Sequence, residues 1–139
     1  AGAERIGHGV DIRWERDPVG LARRMARRRI LVEAPLVSNE QILGVSGRRH
    51  PLRFYLRHRV PVALATDDEG VSRTSLTEQY ERAVLDHGLG YRALKRMALD
   101  SLRHAFVDRA TKRRLLRELR GRFRRFEGRH ALQRSPTSR

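Results

Sequence analysis

RVPVALATDDEG, residues 59–70, joins an apolar run to two adjacent carboxylates. The apolar residues between 60 and 65 predict a strand that is buried on both faces, as in a parallel sheet. Asp67 and Asp68 follow where this strand ends. Because a charge beside a buried strand is costly unless something pairs with it, the two aspartates need partners. The end of this strand is therefore the first candidate site.

The segments before this stretch alternate between strand and helix patterns. Asp17 and Pro18 stand where a helix N-cap and a first helical residue are expected. Pro35 interrupts the second strand, and a loop or short helix is expected at 38–47. The predicted order is a short strand that ends in a glycine-flanked loop at 4–10, a helix at 17–29, a strand at 30–37, a helix at 50–59 and the opening stretch as third strand. Strands that alternate with helices of about ten residues indicate parallel βαβ units and an α/β fold.

Beyond residue 70 the apolar spacing becomes helical and remains so. Three helices are predicted, at about 76–87, 94–105 and 108–127. In the last of them, arginines surround an apolar stripe made of Leu115, Leu119, Phe123 and Phe126. Such a stripe predicts packing against another surface. Residues 131–139 are expected to form a disordered basic tail, so the folded domain is predicted to span 1–130.

The net charge of +15 is concentrated towards the end of the chain. Residues 107–139 hold 12 basic and 3 acidic side chains, and nearly all the basic residues are arginines. One interpretation is a solvated helix face. The alternative is a non-catalytic module that binds nucleic acid or another polyanion through this helix. Because the sequence offers no aromatic stacking platform and no recognised nucleic-acid motif, no specific nucleic-acid partner is predicted.

Several classes of site are excluded by what the sequence lacks. It contains no cysteine, which excludes disulfides, thiolate metal sites and the cysteine-ligated zinc of cytidine deaminases. No apolar run approaches the roughly 20 residues of a membrane span, so no membrane partner is predicted. The residues give no prediction of localisation.

Polar side chains follow each of the three predicted strands. His8 follows the first, Ser38 and Asn39 the second, and the Asp67–Asp68 pair the third. Since function in parallel α/β folds lies at the carboxyl ends of the strands, these side chains are expected to converge. Carboxylate and imidazole groups are ligands for zinc or another divalent ion. Taken singly, an Asp pair is more often a turn or helix cap and a lone His more often structural, so the hypothesis depends on convergence.

Four short motifs together resemble the adenosine deaminase superfamily, which includes adenosine, adenine and AMP deaminases. They are RIGHG at 5–9, SN at 38–39, HP at 50–51 and TDD at 66–68, in this order. The resemblance extends from about residue 4 to 107, and TDDEGVSRTSLTEQY looks closest to a bacterial adenosine-deaminase-like branch. It implies a (β/α)₈ barrel of the TIM type with one zinc ion. The implied reaction is hydrolytic deamination of a 6-aminopurine nucleoside, such as adenosine to inosine plus ammonia.

The resemblance also implies roles for three residues. Asp67 corresponds to the family's aspartate zinc ligand, and Asp68 to the carboxyl group that hydrogen-bonds the purine ring at N7. His8 corresponds to the catalytic histidine near the metal, which orients and electrostatically supports the attacking hydroxide. The remaining histidines, His50 before Pro51 among them, are predicted to be structural or exposed.

Part of the family's metal site is absent from this sequence. The family also needs a His-x-His pair on its first strand, and a third His with a general-acid Glu in a HAGE-like motif on its fifth; neither occurs here. A complete barrel takes about 250 residues, whereas this chain has 139. The chain is therefore expected to be the C-terminal portion of a barrel, about strands six to eight plus the closing helices, and to be inactive alone. Its expected partners are a purine nucleoside substrate and the missing N-terminal half of the same barrel.

Overall fold

Three parallel strands form the sheet of this protein, whose computed structural model describes residues 2–130. The strands are β1 (Arg5–Gly7), β2 (Leu31–Ala34) and β3 (Val62–Leu64), and β2 lies between the other two. Gly7 is in register with Glu33, which is in turn in register with Ala63. All three strands therefore end at the same edge of the sheet.

Helices connect and follow these strands. They are α1 (Pro18–Arg28), α2 (Leu36–Leu43), α3 (Leu52–Arg57), α4 (Glu69–Ser72), α5 (Leu76–Leu85), α6 (Tyr91–Arg103) and α7 (Arg109–Arg129). Two short 3₁₀ segments, Val10–Trp14 and Gly47–Arg49, lie in the connections. The predicted alternation of strands and helices is confirmed, as are the three helices predicted beyond residue 70.

The two helix-to-strand turns of the sheet have the same construction. After α1, Arg29 adopts a left-handed backbone conformation, and the Ile30 amide donates back to the Met25 carbonyl oxygen at 2.9 Å. After α3, Arg59 does the same, and the Val60 amide donates to the Tyr55 carbonyl oxygen at 3.0 Å. These bonds satisfy carbonyl groups that a helix end leaves unpaired, and they direct the chain straight into the next strand.

The core lies between the sheet and the inner faces of the helices. Apart from the partly exposed Glu33, the side chains of strands β2 and β3 are almost completely buried, as expected for a parallel sheet covered by helices. Fully or nearly fully buried apolar residues include Ala22, Met25, Leu31, Val32, Leu52, Tyr55, Val60, Val62 and Met97. This packing holds the strand ends in fixed positions.

Local sequence signals near the strands have mixed outcomes. Asp17 is the N-cap of α1, as predicted, and its carboxylate accepts a hydrogen bond from the Gly20 amide at 2.8 Å. The predicted strand at 30–37 is too long, because β2 ends at Ala34 and α2 begins at Leu36. Pro35 has no N–H to offer the sheet, and its carbonyl oxygen accepts the Asn39 amide at 2.9 Å as the first helical bond. Ser38 and Asn39 therefore stand in the first turn of a helix.

The chain divides into two compact units, the first ending at His104 and the second beginning at Ala105. In the second unit, Asp108 is the N-cap of α7 and accepts hydrogen bonds from the Ala110 and Thr111 amides. No residue of α7 is buried. Among residues 2–130, no helix is both long enough and apolar enough to cross a membrane. The predicted basic tail, 131–139, lies outside the described residues.

Candidate active site

His8 and Asp67 meet at the carboxyl edge of the sheet. His8 directly follows β1, and Asp67 lies three residues beyond the end of β3. Their side chains approach across the end of β2, with 3.8 Å between His8 Nε2 and Asp67 Oδ2. Both side chains are about 40% exposed, at 39% and 41%. The convergence expected from the sequence is therefore present for these two residues.

The backbone at both positions is left-handed. His8 and Asp67 each have a φ of 60°, which is uncommon for residues other than glycine. Gly9 has a φ of 61°, and its carbonyl oxygen accepts a hydrogen bond from the Tyr55 hydroxyl at 2.6 Å. A Cβ atom at Gly9 would lie 2.8 Å from that hydroxyl oxygen, so no larger residue fits without movement. These turns direct the two side chains towards each other instead of along their strands.

Ser38 fixes the carboxylate of Asp67. Its hydroxyl donates to Asp67 Oδ2 at 2.8 Å, and the serine side chain is completely buried. The buried donor restricts the carboxylate to one orientation. Within residues 2–130, Asp67 Oδ1 accepts no hydrogen bond and so remains available as an oxygen ligand.

Asn39 and His50 support His8 from below the site. The Asn39 amide group lies 2.6 Å from His8 Nδ1 on one side and 2.8 Å from His50 Nε2 on the other. Both supporting residues are buried, with 0% and 2% of their surface exposed. The Leu52 amide donates to His50 Nδ1 at 3.1 Å. Burial, and secondarily the positive charges nearby, lowers the pKa of His50 to about 4, so this imidazole is neutral at neutral pH.

Asp68 is placed differently from Asp67. Its Oδ1 accepts the Val71 amide at 3.0 Å, which makes it the N-cap of the short helix α4. Among the described residues, no hydrogen bond or ion pair joins it to His8 or Asp67. The helix-cap interpretation of the Asp pair thus holds for Asp68, and a contact with a ligand remains open to its other oxygen.

An open cavity of about 460 Å³ lies beside His8 and Asp67. Its wall includes Ile6, Ile42 and Leu43, which are large apolar side chains exposed to solvent. A concave, mostly apolar surface with a few convergent polar groups is typical of a small-molecule site. The cavity has room for an aromatic heterocycle beside the polar pair.

The donor types at this site fit zinc, which takes carboxylate oxygen and imidazole nitrogen. Their number does not complete a site. Within residues 2–130 there is no group of three or more His, Asp or Glu side chains that could hold a metal ion. Since zinc takes about four ligands, any zinc beside Asp67 needs further donors from outside the described residues.

From the sequence, Ser38 and Asn39 are predicted to follow a strand but have no assigned role, and His50 is predicted to be structural. In the structure Ser38 contacts Asp67, Asn39 contacts His8, and His50 contacts Asn39. One signal that could have found them is their polarity within a stretch of buried residues, since a buried polar group needs a partner. The partner itself is visible only after folding, because His50 is 11 residues from Asn39 in sequence.

Comparisons with known proteins give the family of this chain. The family model described as adenosine deaminase matches residues 1–121. An adenosine deaminase from Escherichia coli strain SMS-3-5 is 35% identical over 118 residues, which cover 84% of this chain and 34% of that protein. The chain thus spans about a third of the length of this curated relative.

Solved structures show the same architecture. The apo N6-methyl-AMP deaminase from Arabidopsis thaliana aligns with a TM-score of 0.74 at 26% identity, covering 86% of this chain and 34% of that one. An amidohydrolase from Burkholderia ambifaria, solved with bound Zn, aligns with a TM-score of 0.80 at 22% identity, covering 94% and 36%. The second likeness concerns the fold alone. The expected fold class, a portion of a (β/α)₈ TIM-type barrel, is confirmed, and the chain belongs to the adenosine deaminase family.

Proposed function

We propose that this chain forms part of a zinc-dependent enzyme that deaminates a 6-aminopurine nucleoside by hydrolysis, converting adenosine to inosine and ammonia. The observation that carries the proposal is the approach of His8 and Asp67 from two strands that are not neighbours, each braced by a buried polar residue of α2. The family supports a deaminase at a coarser level. The family match identifies neither the metal nor the substrate, so zinc and adenosine are part of our proposal.

Asp67 is proposed as the metal ligand of this chain. The Ser38 hydroxyl donates to Oδ2, which restricts rotation of the carboxylate and leaves Oδ1 available for the metal. Bound zinc would supply Lewis acidity, which makes water a competent nucleophile near neutral pH. A carboxylate oxygen is among the ligands that zinc takes in proteins, which supports this choice of metal.

His8 is proposed as the residue that orients the nucleophile. Its Nε2 lies on the side of Asp67 and the cavity, where it can hydrogen-bond the water oxygen that adds to C6 of the purine. The amino group gains one proton of this water and departs from C6 as ammonia, and the other proton ends on purine N1. Fixing the direction of attack raises the reaction rate greatly, because a misplacement of about 1 Å can lower the rate on the order of a hundredfold.

Asp68 is proposed to contact the purine ring at N7. Its Oδ1 is occupied by the Val71 amide, so the contact is assigned to the second carboxyl oxygen. N7 of a purine has a lone pair and no hydrogen, so Asp68 must carry a proton to donate to it. The side chain is exposed at the edge of the sheet, within reach of solvent and ligand.

The remaining zinc ligands and the general acid are proposed to come from other strands of the same barrel. In this chain, β1 and β3 each have one strand neighbour, and the edge of each that faces away from β2 is unpaired within residues 2–130. Exposed edges and apolar cavity walls are features that further strands would cover. We call these 139 residues, joined in one polypeptide to the strands they lack, the complete barrel.

The test compares the 139-residue chain alone with a complete barrel built by joining it to the unmatched part of the Escherichia coli relative. Adenosine deamination is followed by absorbance with added zinc, and bound metal is measured in parallel. We expect stoichiometric zinc and turnover in the complete barrel only. The chain alone should show weak zinc affinity and no turnover, because the single carboxylate of Asp67 cannot replace a site of about four ligands.

The control is Asp67→Ala in both proteins, because any turnover that persists in the variant comes from contaminating host enzyme. Robust turnover by the chain alone that disappears in Asp67→Ala would contradict the need for further strands. A folded complete barrel that binds zinc but leaves adenosine, adenine and AMP unchanged would contradict the deaminase proposal.

A further inference from the structure

The residues behind His8 form a continuous row of polar contacts. It starts at the Leu52 amide, passes through His50 and Asn39, and reaches His8, whose Nε2 faces Asp67. The steps measure 3.1, 2.8, 2.6 and 3.8 Å. Each of the first three is within hydrogen-bonding distance, so the direction of every proton along the row can be worked out from its fixed end.

The fixed end is the Leu52 amide, which can only donate. His50 Nδ1 must therefore be an acceptor and carries no proton. A neutral imidazole holds one proton, so in His50 it is on Nε2. The low pKa of this buried ring keeps the second proton away at neutral pH. His50 thus donates through Nε2 towards Asn39.

This donor decides the orientation of the Asn39 amide. The amide atom facing His50 Nε2 must be an acceptor, which means the carbonyl oxygen Oδ1 and not the nitrogen. The two ends of an amide have nearly the same shape, and their hydrogen-bond partners determine which is which. In the structure Oδ1 faces His8 Nδ1 and Nδ2 faces His50 Nε2, which would make both nitrogens of His50 acceptors. A neutral imidazole cannot have two acceptor nitrogens, so the amide must be turned over, and its nitrogen then donates to His8 Nδ1.

The consequence reaches His8. Because the Asn39 nitrogen donates to it, His8 Nδ1 is an acceptor without a proton. The proton of the neutral imidazole is then on Nε2, which faces Asp67 and the cavity. A carboxylate favours that placement, since Asp67 Oδ2 is 3.8 Å away.

We propose that Asn39 and His50 are positioning residues that hold His8 in its Nε2–H tautomer through a directed hydrogen-bond chain from the Leu52 amide. The mechanistic meaning rests on the proposed deaminase function. In this tautomer His8 donates a hydrogen bond to the attacking oxygen and cannot remove a proton from it. The two residues act through His8 and do not touch the substrate.

The first test reads the tautomer directly and needs no activity. The imidazole nitrogens of ¹⁵N-labelled complete barrel, free of metal, are observed by NMR, with His8 assigned from its substitution. We expect His8 Nδ1 to show the resonance of an unprotonated nitrogen, and Nε2 that of a protonated one. The reverse pattern in a folded protein would overturn the proposal.

The second test replaces the amide with a group that can only accept. Asn39→Asp has nearly the same shape, so a merely structural Asn39 predicts little change. The proposal predicts a proton on His8 Nδ1, because a carboxylate at this position accepts from both neighbours. In kinetics, kcat should fall about 10- to 100-fold with KM little changed, as is usual when a residue supporting a catalytic group is altered.

Two variants of His50 test the proposal independently if Asn39→Asp destabilises the fold. His50→Gln places an N–H donor near the former Nε2 and should retain the His8 tautomer and most of kcat. His50→Leu removes the donor and should give a mixture of His8 tautomers. His58→Gln is the matched control, since within residues 2–130 the polar and ring contacts of His58 are with Phe54, away from the candidate site.

The outcomes separate this inference from the proposed function. Suppose that His8 shows the expected tautomer, that Asn39→Asp reverses it, and that the protein does not deaminate adenosine. The hydrogen-bond chain is then supported, and the proposed deaminase function is contradicted. If the protein deaminates adenosine but the His8 spectrum is identical in wild type, Asn39→Asp and His50→Leu, the hydrogen-bond chain is contradicted and the deaminase function is supported.

Discussion

The strand ends and the helix α7 hold their polar groups in opposite ways. At the strand ends, Ser38, Asn39 and His50 are almost completely buried, and each has a specific partner. Helix α7 carries ten basic and two acidic residues, and none of its residues is buried. A few buried polar groups therefore carry the geometry of the candidate site, whereas most of the net charge lies elsewhere.

The difference follows from the cost of leaving a group without its partner. A buried donor or acceptor that loses its partner costs about 1–3 kcal/mol. An exposed ion pair such as Arg114–Glu118, 2.8 Å apart in α7, contributes about 0–1 kcal/mol because water replaces the partner. Substitutions at the strand ends should consequently have far larger effects than substitutions in α7, and each prediction below tests this contrast.

The largest effect is expected for Asp67→Ala in the complete barrel. It deletes the only proposed metal ligand of this chain while leaving its buried neighbours in place. Tight zinc binding and deamination should both be lost, with the fold retained. Metal analysis and circular dichroism check this. A folded variant with stoichiometric zinc would remove Asp67 from the site.

A second large effect concerns stability and pH. The pKa of His50 falls from 6.5 to about 4 on folding. Between pH 4 and 6.5, His50 is therefore protonated in the unfolded chain but neutral in the folded protein. Stability should therefore fall as pH drops from above 6.5 towards 4, and the contribution should level off below 4. At about 1.36 kcal/mol per pKa unit, the change is roughly 3 kcal/mol.

Denaturant unfolding of wild type and His50→Gln between pH 4 and 8 measures this contribution. The difference between the two curves isolates His50 from other titrating groups, including His87, whose pKa burial also lowers. Parallel curves across this range would show that His50 takes up its proton in the folded protein. Burial of His50 would then contribute nothing to the pH dependence of stability, and the contrast with α7 would be weaker.

His8→Ala should retain zinc and lose most of kcat. The proposed loss is about a hundredfold, which corresponds to a misdirected nucleophile. Zinc content and steady-state kinetics check it, with Tyr55→Phe as a structural comparison, because that variant removes only the bond to the Gly9 carbonyl oxygen. Near-native kcat in His8→Ala would make His8 a structural residue.

The sequence predicted the three strands and the polar residues that follow them, but neither the end of β2 nor the contacts among those polar residues. Apolar runs and caps such as Asp17 are local signals, and they located three parallel strands with polar residues at their ends. The left-handed backbone of His8 and Asp67 could not be predicted, since neither residue type requires it. The link from Asn39 to His50 depends on α2 and α3 packing together, which is a tertiary event.

Helix boundaries show the same limit. The sequence extended the second strand through Leu36 and Val37 because both are apolar, and both are indeed buried. Burial alone does not distinguish a buried strand from a buried first helical turn. The Pro35 carbonyl, by accepting the Asn39 amide, decides in favour of the helix and so carries Ser38 and Asn39 towards the site.

A smaller effect is expected at Asp68, which can be tested with two substitutions. Asp68→Asn keeps an oxygen for the Val71 amide and an N–H donor for purine N7, so kcat/KM should fall about tenfold or less. Asp68→Ala removes both groups and should cost more, with zinc retained in each variant. If Asp68→Ala loosens α4 but leaves kcat/KM unchanged, Asp68 is only a helix cap.

The smallest effect is expected in α7, for Arg114→Gln. This substitution removes one exposed charge and its pair with Glu118, in a helix whose ten basic residues are solvated. The free energy of unfolding should change by less than about 0.5 kcal/mol, and kcat/KM should stay the same.

Nucleic-acid binding, measured across salt concentrations before and after the substitution, tests the alternative function of this helix. A steep salt dependence that becomes shallower in Arg114→Gln would show phosphate contacts by α7. The charged helix would then have a binding function of its own, and the contrast with the strand ends would fail.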